Sequence, residues 1–134
     1  MKQHITVADA APPPRTARYS HAVKAGGFLY VTGQLPIDPD NPAAPLPPTI
    51  EAQTELAMLN IRRIVAAAGY GLEDTVFVRI FLAEFERDYV GMNSVFHRYY
   101  DDDAVMPGRT TVGVARLGRG ALVEIDMVLF RQAP

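Results

Sequence analysis

Apolar residues recur along this chain with two different periods. Ala57, Ile61, Ile64 and Ala68 fall on one stripe at helical spacing, with Val65 beside them. Phe85, Tyr89, Met92, Phe96 and Tyr99 repeat at intervals of three and four. Each pattern predicts an amphipathic helix. Thr49 is placed to cap the first, Glu51 lies near its positive end, and Gly69 is placed to stop it. Met106-Pro107-Gly108 breaks off the second. Elsewhere the pattern is that of strands. Tyr19 to Val23 and Phe28 to Thr32 flank Gly26-Gly27 and predict a hairpin whose glycines supply the positive φ of a tight turn. Thr75 to Leu82, apolar on both faces apart from Arg79, predicts a central strand. Arg109 to Ala115 and Ala121 to Arg131 read as two more, joined through Gly118-Arg119-Gly120. Pro36 to Pro48 is a proline-rich loop, too short for a domain linker.

The order β-β-α-β-α-β-β describes an α+β domain with two helices on one face of a mixed sheet. Residues 1–18, with the stiff Ala11-Pro12-Pro13-Pro14, read as an N-terminal tail, and 19–134 as a single domain. Phe28, Tyr30, Val76, Val78, Ile80, Val123, Ile125, Met127 and Leu129 are more apolar strand positions than two helices can cover. A homo-oligomer burying the open face is expected.

Composition narrows the chemistry. At 49% hydrophobic and 21% charged, the 134 residues suit a folded domain. No apolar run reaches the length of a membrane span, and Met1 to Ala11 lacks a signal peptide's apolar core, so a cytoplasmic location is expected. The absence of cysteine removes disulfides, thiolate nucleophiles and cysteine-ligated zinc. Eleven arginines and two lysines are scattered among fifteen acids, for a net charge of −2, which argues against nucleic acid as a partner.

Several residues carry candidate chemistry beside a plainer reading. Arg109 follows Pro107-Gly108 at the mouth of a strand; its planar fork suits a carboxylate ligand, and the plainer reading is a salt bridge to a neighbouring acid. Glu124 and Asp126 share one face of the last strand, either as a general base held beside a cation or as acids lapped by water or paired to arginine. At Thr32-Gly33-Gln34 backbone amides could face a ligand, or the strand could simply end. His21, near Tyr19, is the one histidine placed for a site; His97 has Asp101 one helical turn on. Asp101-Asp102-Asp103 reads as a solvated loop rather than a cation site, since consecutive carboxylates cannot all face one ion. Gly69-Tyr70-Gly71 follows a helix and reads as a cap rather than a dinucleotide fingerprint.

Four stretches in order, Tyr19 to Val23, Leu29 to Pro36, the helix from Asn60 to Gly69, and Pro107 to Val112 running on through Val114-Ala115-Arg116-Leu117, with Val123 to Asp126 after them, resemble the RidA/YjgF family of enamine/imine deaminases, also known as the liver perchloric-acid-soluble ribonuclease family. The resemblance covers about residues 17–131. It implies a chorismate-mutase-like fold, a homotrimer with clefts between subunits, and hydrolytic deamination of 2-aminoacrylate- or 2-aminocrotonate-type intermediates to 2-keto acids and ammonia without a cofactor or metal. It assigns Arg109 to the carboxylate of the small substrate and Glu124 to the hydrolytic water, with Tyr19, Thr32, Gly33, Asn93 and Thr111 lining the cleft. Thr111 stands where many members have cysteine, and Ala17-Arg18 replaces a frequent Gly-Pro, which leaves the substrate open. A pathway enamine such as 2-aminomuconate or 3-aminoacrylate is one alternative. A binding module for small carboxylates without turnover is another. The ribonuclease reading inherited from the older family name runs against the acidic balance.

Overall fold

A computed structural model describes residues 1–14 and 16–132. It contains strands β1 (Gln3–Ile5), β2 (Ala22–Ala25), β3 (Phe28–Gln34), β4 (Thr75–Leu82), β5 (Gly108–Gly113) and β6 (Val123–Phe130), and helices α1 (Ile50–Ala67) and α2 (Phe85–Phe96). One sheet holds all six strands in the order β1-β2-β3-β6-β4-β5. Only β4 and β5 are parallel, and α2 makes the crossover between them. The last strand is inserted between β3 and β4 and pairs antiparallel with both.

The first helix begins where Thr49 Oγ1 accepts from the Ala52 amide at 3.1 Å, and it ends at Gly69, whose φ is +87°. Its apolar stripe, with Ala57, Met58, Ile61, Ile64 and Val65, packs on β3 and β6. The second helix lies beside α1 and over β4, presenting Met92 and Phe96 to the core. Tyr99, although in register with that stripe, lies beyond the helix end. The β2–β3 turn needs positive φ only at Gly26 (+61°); at Gly27 a Cβ would meet the Arg131 carbonyl oxygen at 2.7 Å.

Three expectations are corrected. The described residues ahead of Tyr19 are not a tail. Gln3–Ile5 pairs with Ala22–Lys24, and Val7, Ala10 and Ala11 are buried. Polar side chains fasten this segment. His21 Nδ1 accepts from the Val7 amide at 2.9 Å, His21 Nε2 donates to the Ala11 carbonyl at 2.8 Å, and the Ala11 amide donates to Asn60 Oδ1 at 2.8 Å. His21 is therefore a buried structural residue whose tautomer is set by these two bonds. Second, the strand expected over Tyr19 to Val23 starts later, and Tyr19 precedes it. Third, Val78, Ile80, Val123, Ile125, Met127 and Leu129 face the helices and are fully covered by them. The open face is apolar through other residues. Phe28, Tyr30, Val76, Phe77 and Phe130 are each 39–48% exposed.

Candidate functional site

Strand alternation divides the candidate residues between the two faces of the sheet. On β6 the odd-numbered positions are buried under the helices, so Glu124 and Asp126 project from the open face. On β5, Arg109 is paired with the buried Val78 and Thr111 with the buried Ile80, which puts both on the helix face.

On the open face Asp126 accepts both arms of Arg79, at 2.9 and 2.7 Å. Glu124 has no such partner among the described residues. Its carboxylate leans over the backbone of Gly33, where a Cβ would lie 2.3 Å from Glu124 Oε2. Gly33 sits in the register shift between Val31 and Gln34, where β3 bulges against β6. Burial, and secondarily the charge of Asp126, pushes the Glu124 carboxyl above the ordinary carboxylate range. Tyr19 adjoins it: its hydroxyl is pushed up by burial first and by the charge of Glu124 second. Thr32 Oγ1 donates to the Ser20 carbonyl at 2.7 Å, which ties the Tyr19 segment to β3. Tyr19, Thr32, Gly33 and Glu124 thus form one group.

Arg109, Asn93 and Thr111 belong to a second group on the other face. The Arg109 guanidinium lies over the rings of Tyr89 and Phe96, 5.8 and 5.4 Å from their centroids, and its Nη2 donates to the Tyr89 hydroxyl at 3.3 Å. Among the described residues no acid pairs with it, so the salt-bridge reading of this arginine is not what the fold contains. The two buried side-chain atoms left without a partner among the described residues are Asn93 Oδ1, on α2, and Thr111 Oγ1, on β5. Buried polar atoms are almost always satisfied. Both orphans lie on the elements that flank Arg109. A cleft of about 520 Å³ opens beside it, lined by Phe96, His97, Asp101, Met106, Pro107 and Arg109 among others.

Nothing in the sequence marks Tyr89 as a partner of Arg109, because its place in the apolar stripe is indistinguishable from core packing. The contact between Gly33 and Glu124 joins residues far apart in sequence and leaves no local signal. Asp102 caps the turn after α2, accepting from the Ala104 amide at 2.9 Å, and among the described residues no group of three or more His, Asp or Glu side chains is placed to hold an ion.

The family model described as endoribonuclease L-PSP matches residues 9–130. The chain belongs to the endoribonuclease L-PSP (RidA/YjgF) family. A RutC family protein of Pyrococcus horikoshii is 35% identical over 130 residues, 97% of this chain and 99% of that protein. RidA from an Antarctic Psychrobacter has 34% sequence identity and a TM-score of 0.87, with 96% of this chain and 99% of the other covered. TdcF of Escherichia coli, named as a candidate reactive intermediate deaminase, is 29% identical over 122 residues, 90% of this chain and 92% of TdcF. Its crystal structure with bound serine has a TM-score of 0.87, covering 97% of this chain and 99% of that one. The mixed six-stranded sheet with two helices is thus the fold of the RidA family. No helix among the described residues is long and apolar enough to cross a membrane.

Proposed function

We propose that this RidA family protein is a cytoplasmic, cofactor-independent deaminase that hydrolyses small enamine/imine carboxylates of the 2-aminoacrylate and 2-aminocrotonate type. The observation that carries the reading is a pair of opposite charges without counter-ions among the described residues. Arg109 has no acid and Glu124 has no cation or hydrogen-bond donor among the described residues. Each suits one end of the reaction.

Arg109 offers two parallel N–H groups to the substrate carboxylate, with Thr111 Oγ1 and Asn93 Oδ1 free to engage what lies beside it. The serine bound in TdcF supports a ligand of this size and charge. The enamine takes a proton from solvent at its β-carbon and becomes an iminium. Water adds to the carbon bearing nitrogen, with Glu124 taking a proton from it; the carbinolamine then collapses to the C=O of a 2-keto acid, and the proton leaves with ammonia. A carboxyl held above the ordinary range is a stronger base than a free one.

The two halves cannot meet inside one chain, because β4 separates the strands that carry them and they project from opposite faces. We therefore place the site between subunits of a homotrimer, with Arg109 from one copy and Glu124 from the next. The uncovered aromatic face supports such an assembly. A nuclease reading has no comparable support: Arg63, Arg79, Arg87, Arg98 and Arg131 each pair with an acid, which leaves little cationic track for a phosphate backbone.

The test generates the imine in situ with threonine dehydratase or an amino-acid oxidase and traps what remains with semicarbazide. Wild type clears the imine, and Arg109→Ala loses most of that activity, chiefly through KM. Equal clearance by the two proteins sinks the proposal.

A further inference from the structure

Arg119, in the connection between β5 and β6, is the one non-glycine residue with a positive φ among those described, at 59°. Glycines flank it on both sides, and Gly120 has a φ of 67°. A left-handed backbone disfavours any side chain, so glycine would serve this turn better. What arginine adds is its fork. Nη1 donates to the Pro42 carbonyl at 2.8 Å and Nη2 to the Ala44 carbonyl at 2.9 Å, across more than seventy residues of chain. Both acceptors lie in the proline-rich loop of residues 36–48, which contains no helix or strand.

A second tie joins the same two segments from below. Gln53, buried on α1, donates from Nε2 to the Pro47 carbonyl at 2.7 Å, and its Oε1 accepts from the Leu122 amide at 2.8 Å. Gly118 packs on Leu35 so closely that a Cβ there would lie 3.3 Å from it. Leu35 follows Gln34, which pairs with Ile125, and Gly33 before it carries the Glu124 carboxylate. Carbonyls 42, 44 and 47 are therefore fastened to positions 119 and 122, immediately ahead of Glu124.

We infer that Arg119 is a positioning residue, whose guanidinium locks the proline-rich loop onto the β5–β6 connection and thereby fixes Glu124 where β6 begins. The inference rests on the reading of Glu124 as the base. The backbone strain at Arg119 is retained because the fork holds the loop.

Arg119→Gly relieves the backbone and removes the fork; Arg119→Lys keeps the charge but not the paired donors. Three quantities are measured in each: amide exchange at Asn41, Ala43 and Ala44, titration of the Glu124 carboxyl by carbon-13 NMR, and kcat and KM for imine clearance. In Arg119→Gly the loop amides exchange faster, Glu124 titrates closer to an ordinary carboxyl as water reaches it, and kcat falls roughly tenfold with KM little changed, as for a misplaced base. Arg119→Lys follows the same direction. A merely structural role predicts that Arg119→Gly keeps the wild-type Glu124 titration and kcat, and that result overturns the inference. If the wild-type protein clears no imine, the deaminase reading falls separately. The Glu124 titration and the exchange data then decide the clamp: both moved supports it, and an unmoved titration overturns it.

Discussion

Gly33→Ala is a small perturbation with a large expected consequence. Gly33 is not among the glycines with positive φ, so its backbone tolerates alanine. Replacing such a glycine lowers the entropy of the unfolded chain and by itself stabilises by about 0.4–1 kcal/mol. The obstacle is the side chain above it. The new Cβ would lie 2.3 Å from Glu124 Oε2, 3.0 Å from Cδ and 3.3 Å from Cγ. The carboxylate must withdraw by about 1 Å to reach ordinary contact distance. It is the far end of a flexible side chain, so the fold accommodates the move cheaply. The chemistry does not, since a displacement of ~1 Å in a catalytic group can cost about 100-fold in rate. Gly33→Ala should therefore melt close to wild type and show a loss of roughly 100-fold in kcat by the semicarbazide assay. The loss should be absent when Glu124 is already glutamine, because the two changes act on one group. Wild-type kcat in Gly33→Ala, or full additivity with Glu124→Gln, would refute the placement of the base.

Other outcomes follow from the same geometry. Glu124 has a folded-state pKa raised above its unfolded value, so its contribution to stability falls as pH rises from the ordinary carboxylate range through the raised value. Glu124→Gln should accordingly be at least as stable as wild type at neutral pH, and denaturant melts across pH 4 to 8 will show whether this advantage fades in acid. Catalysis runs the opposite way. The ionised base is required, so kcat should fall on acidification at a pH above that of a free carboxylate, and a flat profile to pH 4 would exclude Glu124 as the base. His21→Ala strands the Val7 amide and the Ala11 carbonyl, and should cost about 2 kcal/mol or more in urea unfolding, with faster exchange of the Val7 amide.

The helices and the long strands were legible because their periods are strong. Thr75–Leu82 matches its expected bounds, and the Thr49 cap and Gly69 stop fall where the residue types put them. The segment from Gln3 to Ala11 was not legible. It is held by His21 and Asn60, polar side chains reaching backbone groups from distant elements, and such bonds impose no period on the sequence. The site was legible as a set of residue types but not as a geometry. Residues placed together by resemblance separate onto two faces, because period-two alternation fixes which face each strand residue takes but says nothing of what lies across a subunit boundary. Of the two carboxylates on the last strand, Asp126 is paired to Arg79, as its plainer reading has it, and Glu124 is left unpaired over Gly33.

The claim that the site is built between copies is tested most directly by mixing two inactive proteins. Arg109→Ala and Glu124→Gln are purified separately, unfolded together and refolded, and imine clearance is measured against each variant refolded alone. If Arg109 of one subunit serves Glu124 of the next, about a quarter of the sites in randomly assorted rings regain both residues, and activity returns. If mixed assemblies form and no activity returns, the site does not lie between subunits.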